Sequence, residues 1–357
     1  MSGTDIAAPA LPPIIAVFNH KGGVAKTTTA ANLATCLAAF GLKVVLIDLD
    51  AQGNATAGFG VLPLPAVGSY DVLLGNSEIE PVLAASGFPG LSLLPATTDL
   101  RLAELQLATD EHSHLQLRKS LTEHHLSRWA DIAVIDCPPS LGMVTANALT
   151  AASHVVIPAR PDPYTHEGLV NTWHEIKRLK ETVNSRLTVA GILLTMVTGD
   201  ATETDVARTM RAEFGDMVYK VMVETDPKVV EAAQAGVPVV VLDPDGGSGR
   251  AYVAATLELL TRLAAGQPLP DGFNQDSVLN TLRDWRARLP ALQRRPTESE
   301  AWAAVPKAWD DAEPHDDWTP ERLTPAEPAR KFTMGWLAGA FLAGLALGAG
   351  LALTIAG

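Results

Sequence analysis

At 357 residues, with 47% hydrophobic and 19% charged side chains, the chain is long enough for one large α/β domain and an appendage. A net charge of −13 makes the whole molecule a poor match to nucleic acid, whose binding is dominated by phosphate neutralisation, although a local basic patch stays open. Only Cys36 and Cys137 occur, with no C-x-x-C, which excludes a disulfide framework, gives no support to zinc or an iron–sulfur cluster, and fits a reducing cytosolic setting.

The first thirteen residues carry neither a basic start nor a long apolar run, so they do not read as a signal peptide. An apolar strand pattern over 14–18 leads into Asn19-His20-Lys21-Gly22-Gly23-Val24-Ala25-Lys26-Thr27-Thr28-Thr29, and a helical pattern follows over 30–37. Strand, glycine-bearing loop, lysine, hydroxyl and helix together form a phosphate cradle. Small residues let backbone N–H groups close around phosphates, and the helix N-terminus adds partial positive charge. In that arrangement Lys26 reaches the β- and γ-phosphates and the Thr27 hydroxyl ligands Mg²⁺.

Further strands are expected at 44–47, ending at Asp48; at 91–95; at 132–135, ending at Asp136; at 154–158; and at 189–194. The run 239–242, entered through Pro238, reads as a last short strand or an extended segment. Amphipathic runs such as 168–183 and 204–214 lie between, and a helix over 249–265 closes the unit. The pattern predicts an α/β fold over 12–265, a mostly parallel sheet with helices on both faces. Two carboxylates, Asp48 and Asp50, leave one strand end, where ligands bind in open α/β sheets. Asp136 ends another strand in the Walker B manner, placed to bond a Mg²⁺-bound water.

Residues 266–334 change character, with one helix expected over 276–289 and then an acidic run rich in Pro and Trp, read as a linker. Trp302, Trp309 and Trp318 serve there either as partner anchors or as contacts to the domain. Residues 335–357 carry no charge and are long enough for a transmembrane helix. Arg330 and Lys331 precede them, which keeps the main domain cytoplasmic by the positive-inside rule. The localisation expected is the cytoplasmic membrane, through a single-pass C-terminal anchor whose two G-x-x-x-G pairs offer a helix-association face.

The loop lacks the first glycine of the ordinary P-loop and carries a second lysine. In the form K-G-G-V-A-K-T-T it resembles the deviant Walker A loop of the ParA/MinD family. The segment Asp48-Leu49-Asp50-Ala51-Gln52-Gly53-Asn54 is similar to the family's switch I, with Ala51 where proline is common. Asp136-Cys137-Pro138-Pro139-Ser140-Leu141-Gly142 is similar to its switch II. The resemblance implies an ATP- and Mg²⁺-dependent P-loop ATPase that dimerises on ATP, Lys21 crossing the interface to the partner's nucleotide. It implies nucleotide contacts from Lys21, Gly22, Gly23, Val24, Ala25, Lys26, Thr27 and Thr28, a water-orienting Asp50, metal-side roles for Thr27, Asp48 and Asp136, and catalytic roles for Lys21 and Lys26. Cys137 is then a small buried residue rather than a reactive thiol.

The strand ending at Met196 resembles the one leading to the family's adenine pocket. The stretch 223–232 aligns with the family's Ile-Pro-Arg-Asn segment, but Glu224 and Thr225 replace its proline and first basic residue, leaving Lys228 as its single cation. Nonspecific DNA binding is weakened accordingly. Two functions follow. One is a ParA-like switch, weakly active and stimulated by a ParB-like or other protein partner, that partitions or positions DNA or protein cargo from the membrane. The other is a membrane-bound regulatory or structural nucleotide-binding module with little hydrolysis and no DNA binding. The scattered Tyr70, Tyr164, Tyr219 and Tyr252 argue against the tyrosine kinases of this lineage.

Overall fold

The computed structural model describes residues 11–108, 113–162 and 165–289. Its strands are β1 (Ile14–Val17), β2 (Val44–Asp48), β3 (Ala84–Ala85), β4 (Leu91–Leu94), β5 (Ile132–Asp136), β6 (His154–Ala159), β7 (Thr188–Val197) and β8 (Val218–Glu224). They form one sheet in the order β3-β4-β2-β5-β1-β6-β7-β8. Every pairing is parallel except the short β3 on β4. Alternation along β1 divides the core. Ile15 and Val17 face one buried cluster, and Ile14, Ala16 and Phe18 the other. Near-continuous apolar runs are what a sheet covered on both faces requires.

The first face is covered by α1 (Lys26–Ala39), α10 (Pro227–Ala235), α11 (Val239–Leu242), α12 (Gly247–Leu263) and α13 (Gln275–Ala287). The second takes α3 (Ser69–Leu74), α4 (Leu100–Leu107), α5 (Gln116–Glu123), α6 (Leu126–Trp129), α7 (Met143–Ala151), α8 (Thr165–Thr182) and α9 (Ala201–Phe214). The short α2 (Asn54–Gly58) sits just beyond the end of β2. β1 lies between β5 and β6, so the chain leaves it to opposite sides, and the crevice at the carboxyl ends of β1, β2 and β5 is a topological switch point.

Three segments differ from the sequence expectation. Residues 239–242 form a helical turn, α11, not a strand. Val239, Val240 and Val241 are buried, and the Val240 N–H donates to Asn32 Oδ1 on α1 at 3.0 Å. Tertiary capture by α1 overrides the β preference of three valines. The last strand is instead β8, paired with β7 and half-exposed at the sheet's edge.

The third difference concerns α13: the helix expected over 276–289 is present, but it does not stand apart in a linker. It is laid onto the sheet body, with Val278, Leu279, Leu282 and Trp285 buried in the first cluster. Trp285 stacks on Phe88 at 5.4 Å between ring centroids, and Phe273 on Phe40 at 4.9 Å. Asn274 caps the helix by accepting from Ser277 N at 3.0 Å. The packed body thus continues through residues that the sequence assigns to the linker. The expected transmembrane segment, 335–357, lies outside the described residues. Among those described, no helix is long and apolar enough to cross a membrane.

Candidate nucleotide site

The loop after β1 is held from three sides. Asn19 donates its amide to Pro158 O at 2.7 Å on β6 and accepts from the Lys21 N–H at 2.9 Å and the Thr172 hydroxyl at 3.2 Å. Thr195, at the end of β7, donates to Val24 O at 3.1 Å. Gly23 and Ala25 take left-handed φ of +70° and +60°. Glycine adopts that region freely, while alanine is strained there. No atom lies within 4 Å of where a Cβ at Gly22 or Gly23 would sit, so the cradle above these glycines is open.

Lys26 is buried to 7% exposure and donates to Lys21 O at 2.9 Å across the loop. Burial pulls its ammonium below the usual lysine range, while the Asp136 and Asp50 carboxylates act the other way. Lys21 forms an ion pair within its own chain with Asp162, just after β6.

Asp48 and Asp136 are register partners on β2 and β5, and both are fully buried. Their oxygens differ in occupancy. Asp48 Oδ2 accepts from the Thr56 N–H at 2.8 Å and the Thr56 hydroxyl at 2.7 Å, and Oδ1 from the Asp50 N–H at 3.1 Å. Asp48 therefore organises switch I. Burial, partly offset by the Thr56 bonds, raises its carboxyl to about 6. Both oxygens of Asp136 are buried with no hydrogen-bond partner. Burial first, then the Asp48 charge, pushes the Asp136 carboxyl well above the ordinary range, with Thr27 and Lys26 pulling it back. Asp50 is half-buried at the start of the turn, accepting from Gln52 N at 2.9 Å. Cys137 is 1% exposed, and burial pushes its thiol well up, so it is an inert core residue.

This donor set fits Mg²⁺ and a nucleotide phosphate. An unpartnered buried carboxylate beside a second carboxylate calls for positive charge. The Thr27 hydroxyl and the Lys26 ammonium, which follow the glycine loop, both act on the Asp136 carboxyl.

Met196 lies at the end of β7 one residue past the Thr195 bond to the loop, half-buried at φ +56°. The Thr225 N–H donates to Val197 O at 2.9 Å, which sets 223–232 at the same end of the sheet. There Asp226 caps α10 by accepting from Lys228 N at 2.9 Å, with Pro227 at its first position. Lys228 pairs with Glu231, Arg250 and Arg283 both pair with Asp245, and Arg286 pairs with Asp243. These cations are matched by acids rather than massed into a basic patch. Sequence reading missed Asn19, Thr56, Glu104, Asp162, Thr172 and Thr195. Asn19, Thr56 and Thr195 lie inside or beside the motifs and so carried a positional signal, whereas Glu104, Asp162 and Thr172 come from segments with none.

A strand-loop-helix phosphate cradle at the switch point of a parallel sheet, with a carboxylate at the end of a neighbouring strand, defines a P-loop nucleoside-triphosphatase fold. A family model described as an AAA domain matches residues 13–189. The chromosome partitioning protein ParA of Caulobacter vibrioides is 37% identical over 251 residues, covering 70% of this chain and 94% of that protein. The sporulation initiation inhibitor protein Soj of Bacillus subtilis is 36% identical over 250 residues, covering 69% and 97%. The crystal structure of cobyrinic acid a,c-diamide synthase from Mycobacterium smegmatis with bound ADP and magnesium has a TM-score of 0.62 at 31% identity, covering 73% of this chain and 98% of that one. The chain belongs to the ParA/MinD family of P-loop ATPases, and ATP with Mg²⁺ are its cofactors.

Proposed function

We propose that this chain is a dimerising ATP switch that partitions or positions DNA or protein cargo. The observation that carries the reading is the fully buried Asp136 carboxylate, without a close hydrogen-bond partner and within the influence of Thr27 and Lys26, the residues that follow the glycine loop. Thr27 and Asp136 would hold Mg²⁺ there, and the ion would supply positive charge for the β- and γ-phosphates. Lys26 steadies the phosphates, and Asp50 orients the attacking water. Asp48 keeps switch I folded through Thr56 and Asp50. Lys21 exchanges Asp162 for the nucleotide of a second copy, so dimerisation follows ATP binding. Hydrolysis is weak and stimulated by a ParB-like or other protein partner, and loss of the γ-phosphate releases the switch loops.

The switch acts at the cytoplasmic membrane, anchored through the uncharged residues 335–357 with the ATPase domain in the cytoplasm. ATP then governs dimerisation and partner choice, not membrane residence. The acid-matched cations around Lys228 favour a protein cargo over bulk DNA.

Light scattering of the full chain in detergent, with ATP, ADP or a non-hydrolysable analogue, tests the switch. A dimer formed with ATP and the analogue but not with ADP is expected, and the same mass in all three states refutes it. Membrane fractionation after ADP loading tests the anchor, since release on ADP is incompatible with it. The strained φ of Ala25 favours a second reading, a regulatory module with little turnover. Phosphate release below about one turnover per hour with lipid, DNA and candidate partners present supports that reading, against the 1–10³ s⁻¹ common for enzymes.

A further inference from the structure

Switch II runs from Asp136 to Gly142, and beyond its local bonds (Thr145 hydroxyl to Ser140 O at 2.6 Å, Ala146 N–H to Gly142 O at 3.0 Å) its far end is gripped by a distant element. The Met143 N–H donates to Glu104 Oε2 at 2.6 Å and the Val144 N–H to Glu104 Oε1 at 3.3 Å. Glu104 belongs to α4, some forty residues upstream on another element. Its carboxylate thus engages the first two amides of α7, where a negative charge also meets the positive end of the helix. Gly142 makes the approach possible. A Cβ built there would collide with the Glu104 carboxylate, although Gly142 has φ −88°, a backbone any residue adopts. The glycine is required for space rather than conformation.

The same α4 segment is tied to switch I. Thr56, whose hydroxyl donates to Asp48, accepts at that hydroxyl from the Ala96 N–H at 2.8 Å. Ala96 ends the strand segment that leads into α4, and Pro95 O beside it accepts from Ser69 N at 2.8 Å. Ser69 Oγ in turn donates to Asp48 O at 2.6 Å. One stretch, Pro95 to Glu104, therefore touches the Asp48 side of the site at one end and the exit of switch II at the other. Between the two grips Leu100 and Ala103 are buried, and Leu107 is buried one turn further on, so packing holds α4 in place as a strut.

We propose that Glu104 is a positioning residue for ATP hydrolysis: it fixes the exit of switch II against the strut that holds switch I, so that Asp136 and Asp50 keep their relative places through the reaction. The proposal rests on the ATPase reading above. Glu104 acts through the backbone of Met143 and Val144.

The test compares Glu104→Ala, Glu104→Gln and Gly142→Ala in the full chain. Phosphate release and ATP affinity are measured together with hydrogen exchange over residues 138–146. Glu104→Ala is expected to lower kcat about tenfold or more while the ATP Kd stays within about twofold. Exchange at the Met143 and Val144 amides should rise in step. Glu104→Gln, which keeps an acceptor without the charge, should recover part of the loss. Gly142→Ala should reproduce the loss from the other side of the contact and add nothing in a Glu104→Ala background. Unchanged kcat in Glu104→Ala, or a fall in ATP affinity that matches the fall in kcat, overturns the proposal. Additive losses in the double variant overturn it too. A wild-type chain without turnover sinks the ATPase reading together with this one. Wild-type turnover with an unaffected Glu104→Ala sinks this one alone.

Discussion

Ala25 sits at φ +60° and ψ +33°, immediately before α1, in a loop position where only glycine is free of strain. Its replacement by glycine sets three contributions against one another. Relief of the left-handed conformation returns roughly 1–2 kcal/mol. The more flexible unfolded glycine chain takes back about 0.4–1 kcal/mol. Loss of a half-buried methyl takes about 0.4 kcal/mol more, half of a fully buried group. The net is a gain of about 0.5 kcal/mol. Ala25→Val moves the other way, because a β-branched side chain is a true outlier at this φ, and should cost more than about 1 kcal/mol. Urea titration of the nucleotide-free chain reads both, provided the slope is unchanged so that a midpoint shift reports stability. The expected order is Gly above Ala and Ala well above Val. Valine tolerated within about 0.3 kcal/mol, inside the scatter of surface substitutions, would refute the strain argument. So would a glycine variant less stable than wild type, which would mean that the methyl's packing outweighs the conformational cost.

Asp136→Asn should stabilise the chain in the absence of Mg²⁺. The folded-state carboxyl titrates above its unfolded value, so ionisation weakens the native state as pH rises, and the variant's advantage should open above about pH 4. Equal melting temperatures from pH 4 to 8 in chelator would contradict this. Asp48 follows the same sign, the nucleotide-free chain losing stability as pH rises from about 4 towards the folded value of about 6. Asp162→Asn removes the partner that holds Lys21 in its own chain. Because the pair is partly exposed and worth about 1 kcal/mol or less, the ATP concentration needed for half-dimerisation should fall by up to about fivefold; a higher requirement on light scattering would show that Asp162 supports the dimer instead. Trp285→Ala should cost about 3–5 kcal/mol, as for other buried aromatic truncations, seen as a lower urea midpoint; a loss below 1 kcal/mol would mean that α13 is a loosely attached helix.

The parallel sheet and the phosphate loop were legible because each rests on local chemistry. Buried strands read as short apolar runs, and a glycine-rich turn before Lys26 and Thr27 has few other uses. β8 escaped because Val218–Glu224 carries Lys220 and Glu224 on a half-exposed edge and so lacks an apolar run. Val239–Leu242 misled because its valines carry a β preference that Asn32, some two hundred residues away, overrules. At the site, Asp48 and Asp136 were found as strand-end carboxylates. Their division of labour was not legible, since it depends on Thr56 filling one and leaving the other bare. Glu104 and Asp162 reach the site from distant segments, and no spacing in the chain announces such contacts.

Helix α13 carries a practical consequence for anyone shortening this chain. A fragment cut at residue 265, where the sequence suggests that the domain stops, would strip the cover from Phe40 and Phe88 and from the valines of α11. Those side chains would form a contiguous greasy surface of the kind that drives clumping at high protein concentration. A cut after residue 289 leaves that surface sealed, and is the boundary at which a soluble fragment should be sought.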